Sequence, residues 1–206
     1  MAKTKVREIL KSDDTTKEKV EYLWDYYRWH VILSVLAVFF AGYLFVDWVN
    51  RPITAFHVTV LAPEVSFDEE EPLSNDLFDL VQPDGRNETV YASFTPHGQM
   101  AERFTAQLTA AEYDLILMDE PAFAEYSKFG TMQTFRLSEL DDEDAYYQPE
   151  EYDAPMAIDS EQLDVFNSYV TTQDKIVMIP ENSRRRGAIE TFFESQGYTI
   201  EFIDEE

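Results

Sequence analysis

The chain has no cysteine, three histidines (His30, His57 and His97), six glycines, and sixteen Lys or Arg against forty-one Asp or Glu. Without thiols there is no disulfide, no thiolate nucleophile and no lipid-carrying cysteine. Three scattered histidines form no zinc set at ordinary ligand spacing. The few glycines build no phosphate cradle, and neither a nucleophile elbow nor a metalloprotease helix occurs. A net charge of −25 opposes polyanionic partners, so a nucleic-acid role is not expected. No cofactor is implied. Long apolar runs are also scarce, with one exception.

The exception is Val31 to Val46, sixteen residues without a formal charge. As a helix these cover about 24 Å, a little short of a hydrocarbon core of about 30 Å. Trp29 and Trp48 extend the run, and Trp24, Tyr26, Tyr27 and Tyr43 complete an aromatic belt at each rim. Arg28 can snorkel from one end, Asp47 and Arg51 lie at the other, and Pro52 stops the helix. A cleaved signal is disfavoured because the run starts late and ends in Asp47-Trp48-Val49-Asn50-Arg51-Pro52, not in small residues. The reading is a single-pass anchor in a cell membrane, with the lipid bilayer as its first partner.

Orientation follows from charge. Residues 1–30 hold seven basic and six acidic side chains, and Lys17, Lys19 and Arg28 on that side face only Arg51 on the other. The bias places the N-terminus in the cytoplasm and the remainder outside. Residues 53–206, with eight basic and thirty-four acidic residues, would also be repelled by an anionic inner leaflet. The expected organisation is a cytoplasmic arm over 1–21, an interfacial approach and transmembrane helix over 22–51, and an extracytoplasmic domain over 53–206.

That domain is long enough for one core. Strands are expected at Ile53–Leu61, Thr89–Phe94, Tyr113–Met118, Lys175–Ile179 and Tyr198–Ile203, from apolar runs or alternation bounded by Pro, Gly or charge. Helices are expected over Gly98–Ala110, from Pro121 to Phe129, after a Ser160 cap, and from Asn182 or Ser183 to Gly197. Residues 64–88 leave room for a short helix at Leu77–Leu80, and the acidic stretch Ser138–Asp153 is expected to be a mobile flap. Strands alternating with helices imply an α/β fold: a compact three-layer domain with a mostly parallel or mixed sheet.

The juxtamembrane run Tyr22-Leu23-Trp24-Asp25-Tyr26-Tyr27-Arg28-Trp29-His30 resembles that of small single-pass membrane proteins of Gram-positive (Firmicutes-type) bacteria. Tyr113–Asp119, Leu137–Leu140, Ala154–Ile158 and Ile176–Ser183 are similar to pieces of an extracellular solute-binding protein of the type 2 periplasmic-binding fold, collinear over about residues 53–203. The resemblance implies a ligand cleft at the strand ends. Full receptors of that family have two lobes, and this domain has room for about one lobe or a strongly reduced pair.

Candidate chemistry is sparse. In a mostly parallel sheet, the carboxyl ends of the strands converge and gather Ala62–Val65, Thr95–Gly98, Asp119–Pro121 and Pro180–Ser183 at one edge. Thr95, His97 and Ser183 would offer neutral hydrogen bonds, and Asp119 with Glu120 a countercharge to a small cationic or neutral solute. Those carboxylates lack a companion nucleophile or metal pattern, so a carboxylate-dependent enzyme ranks below a solute- or peptide-binding domain. A non-enzymatic interaction or assembly module, packed on another membrane protein, ranks first.

Overall fold

The computed structural model describes residues 15–98 and 100–203, so the arm expected over 1–21 lies outside the described residues up to Asp14. The chain divides after Arg51 into two units, a helical one and a second running from Pro52.

Helix α1, Thr16–Val49, is opened by a capping box in which Thr15 and Glu18 satisfy each other's end of the first turn. Asn50 caps its end before Pro52. Within it, Leu23–Val49 is long and apolar enough to cross a membrane, and none of its most apolar window is buried. A helix this long and apolar is compatible with single-pass anchoring.

The second unit is an α/β domain around a six-stranded sheet. Its elements are β1 (Ile53–Ala62), α2 (Glu70–Val81), β2 (Glu88–Pro96), α3 (Ala101–Thr109), β3 (Leu115–Met118) and α4 (Glu120–Tyr126). There follow β4 (Thr134–Leu137), β5 (Tyr146–Tyr147), β6 (Ala157–Asp159), β7 (Ile176–Met178), α5 (Arg186–Ser195) and β8 (Ile200–Ile203). The spatial order is β2-β1-β3-β7-β6-β5, with β4 and β8 forming a separate antiparallel pair. Strands β1, β2 and β3 are parallel; β7, β6 and β5 join antiparallel. The sheet is therefore mixed.

Strand alternation divides the core in two. Phe56, Val58, Val60 and Ala62 of β1 face Leu73, Leu77 and Val81 of α2 and Ile189, Phe192 and Phe193 of α5. On the other face, Leu61 and the β3 residues Ile116 and Met118 meet Phe104 and Leu108 of α3 and Ala122, Phe123 and Tyr126 of α4. Helices thus cover both faces of the sheet. Phe56 stacks on Phe192 at 5.3 Å, and Phe192 meets Phe193 edge-on at 5.4 Å.

Two expected helices are corrected. The helix placed after Ser160 is a pair of 3₁₀ turns, Ser160–Gln162 and Asp164–Ser168, because Asp159 caps a single turn and Leu163 then extends. Residues 138–153, expected as a flap, hold a 3₁₀ turn and β5, where Tyr146 accepts from Leu137 N–H and donates to Leu137 C=O. The last helix starts at Arg186, after Ser183 has been drawn into a side-chain bond.

The free edge of β2 is covered by side chains of α2. Ala92 N–H donates to Ser74 Oγ at 2.8 Å and Phe94 N–H to Glu70 Oε1 at 2.6 Å. Those N–H groups are thereby withheld from strand addition.

Candidate functional site

The order β2-β1-β3 makes a topological switch between β1 and β3, the place where open α/β sheets receive ligands. Thr95, His97, Asp119 and Glu120 all lie at this carboxyl edge. The β2–α3 turn, with Gly98 at φ +93°, carries His97 across it. His97 N–H donates to Ala62 C=O at 3.0 Å, and His97 Nε2 lies 3.3 Å from Asp119 Oδ1. The mouth of the crevice is thus bridged. Asp119 is further committed as the cap of α4, accepting from Ala122 N–H at 3.2 Å. Glu120 is exposed in the first turn of α4, and Thr95 is buried.

Ser183 does not join them. Because β7 runs antiparallel to β3, with Ile116 opposite Met178, its carboxyl end lies at the amino end of β3. There Ser183 Oγ donates to Asp114 Oδ1 at 2.6 Å. The convergence expected of a parallel sheet holds for three strand ends and fails for the fourth.

A polar network that sequence reasoning missed lies around Asp114, whose side chain is 0% exposed. Arg185 Nε donates to Asp114 Oδ2 at 2.7 Å, and His57 N–H to the same oxygen at 2.8 Å. Arg185 also donates from Nη2 to Glu112 C=O at 2.6 Å. Burial pushes the Asp114 carboxyl above its usual range, opposed by Ser183 and Arg185.

His57 lies on β1 beside this network. Its Nδ1 is 3.0 Å from Glu112 C=O and its Nε2 is 2.8 Å from Ser93 Oγ on β2. A carbonyl only accepts, so Nδ1 carries the proton and Nε2 accepts from the serine hydroxyl. Burial lowers the His57 pKa from 6.5 to about 4, and the Arg185 charge adds to it, against the Glu112 carbonyl. Tyr113, stacked on Phe104 and edge-on to His57, donates to Gln107 Oε1 at 2.8 Å. Burial raises its phenol to about 12. The only sequence signal for this network was the charged Asp114 heading an apolar strand.

Two concavities matter. One, of about 360 Å³, is lined by His57, Ser93 and Thr95, with Arg103 and Gln107 of α3 on its wall. The other, about 1080 Å³, is a mainly apolar groove between α3 and α4, with Ala106 and Leu108 on one side and Tyr126 and Phe129 on the other. Phe129 is 60% exposed there. Glu102 and Glu125 are the charged residues among the described lining. Among the described residues, no group of three or more His, Asp or Glu is placed to hold a metal ion.

Comparison of the chain with models of protein families, with curated proteins and with solved structures found no match.

Proposed function

We propose that the protein is a membrane-anchored interaction or assembly module, with a cytoplasmic N-terminus and the acidic domain on the outer side. One observation carries this reading. The crevice at the β1/β3 switch is bridged by His97, whereas the large concavity lies on a helix face and is apolar. Such a groove suits a protein segment better than a polar solute. The occupant that fits is a helix of another membrane protein, apolar on one face and flanked by Lys or Arg. Its charges would meet Glu102 and Glu125 in a domain that carries thirty-four acids against eight bases.

The test is recovery from mild-detergent membranes with the anchor retained. A stoichiometric partner is expected, lost when Ala106→Arg places a cation in the groove and reduced by added salt. Absence of any stoichiometric partner, or one indifferent to Ala106→Arg, defeats the reading. The missing thiols allow orientation to be tested separately: Glu150→Cys should react with an impermeant maleimide on intact cells, and Lys11→Cys should not.

A second reading is a binding domain for a small cationic or neutral solute. The half-exposed His97–Asp119 pair, with side chains 34% and 23% accessible, favours it. Saturable heat of binding that Asp119→Asn abolishes would select this reading over assembly.

A further inference from the structure

Ser93 and His57 meet the geometric terms for an activated nucleophile: hydroxyl to base 2.8 Å, and base to orienting acceptor 3.0 Å. They come from neighbouring parallel strands, β1 and β2, and are thirty-six residues apart in sequence. The carbonyl of Glu112 takes the place that a carboxylate fills in a triad. It fixes the ring and directs the basic Nε2 at Ser93 Oγ. Thr59 Oγ1 is a competing acceptor for the serine proton, but at 3.2 Å it is the longer contact. Thr59 spends its own proton on Ser93 C=O at 3.1 Å.

Both side chains are half-buried and line the cavity of about 360 Å³, so the pair reaches solvent. The volume suits a small acyl group. Arg103 is the positive residue among the described lining and can face an oxyanion; Glu70 on the same wall already accepts from Phe94 N–H. Groups around His57 are Arg185, Glu112 and Tyr113 on one side, with Tyr91 and Ser93 of β2 on the other.

We propose that Ser93 is a nucleophile, with His57 as its general base, that accepts acyl groups from small neutral esters. This activity is additional to the interaction role and independent of the α3–α4 groove. Ser93 Oγ bonds to the acyl carbon while His57 Nε2 takes its proton. The ester C–O bond breaks, and the departing alcohol receives that proton from His57. Water, deprotonated by the same nitrogen, then adds to the acyl carbon; the acyl–Oγ bond breaks, His57 returns that proton to Ser93 Oγ, and the carboxylic acid leaves.

The full chain in mild detergent is exposed to p-nitrophenyl acetate, and the product is read by intact mass and peptide mapping. One acetyl group on Ser93 is expected, absent in Ser93→Ala and formed about 100-fold more slowly in His57→Gln. Labelling of the wild type should hold from neutral pH to about 5 and fall as His57 protonates near 4. That profile, read over the pH range in which near-UV circular dichroism shows the domain folded, decides the matter even if His57→Gln does not fold. Acetylation spread over tyrosines and lysines with Ser93 unmodified overturns the proposal. So does Ser93 acetylation at an equal rate in a folded His57→Gln variant, or with no fall towards pH 4.

Discussion

Acidification should unfold the domain partly through His57. The ring is neutral in the folded state until pH falls to about 4, whereas an unfolded histidine takes its proton near 6.5. Between those values the unfolded chain holds more protons, so stability is full above 6.5 and declines as pH falls. At 1.36 kcal/mol per pH unit, the whole gap is worth about 3 kcal/mol, of which about 2 kcal/mol is lost by pH 4.5. Burial of the ring and the Arg185 cation are the structural causes, partly offset by the Nδ1 donation to the Glu112 carbonyl. The raised Asp114 carboxyl acts in the opposite sense, since a native state that protonates earlier gains stability as pH drops. His57→Gln separates the two, because Asp114 is common to both proteins and its contribution cancels in the comparison. Trp24, Trp29 and Trp48 all belong to α1. Denaturant titrations should therefore be followed by near-UV circular dichroism of tyrosine and not by tryptophan emission. Wild type should lose about 2 kcal/mol more than His57→Gln between pH 7 and 4.5. Parallel losses in the two proteins would refute a buried neutral His57.

Replacing Arg185 with Ala leaves Asp114 buried without its cation and should cost about 3–5 kcal/mol in the same titrations. Asp114→Asn in that background should recover part of the loss; a cost below about 1 kcal/mol would show that the pair is not desolvated. The acid excess predicts a lower melting temperature in salt-poor buffer, as like charges in the domain lose their screening. Melts indifferent to salt would remove that idea.

The sequence made the parallel half of the sheet visible. β1 is legible from its alternation with β-branched and aromatic residues up to Pro63, and β3 from a short apolar run ended by Asp119, the pattern of a strand covered on both faces. β4, β5 and β6 escaped notice, because two to four residues cannot display a period. α2 was expected only at Leu77–Leu80, yet spans Glu70–Val81, because Leu73, Leu77 and Val81 form a buried stripe that continues through acidic surroundings. The direction of β7 was the costliest omission. Nothing local to Ile176–Met178 encodes antiparallel pairing, and that reversal is what carries Ser183 away from His97 and Asp119 to Asp114. Ser93 and His57 stayed hidden for a related reason: their meeting depends on the β1–β2 register, in which Thr59 lies opposite Ser93.

The stacking of Phe56 on Phe192 sets an order of events during synthesis. The first strand packs early on α2 but cannot complete the burial of its inner face until the last helix has been made, so the ribosome must finish most of the domain before its larger core closes. Contacts of such wide sequence separation slow folding. The chain would consequently stay open through the interval in which α1 is already available to a bilayer. If the domain is exported, as proposed, late closure by α5 would leave it in the extended form that a translocation pore can thread.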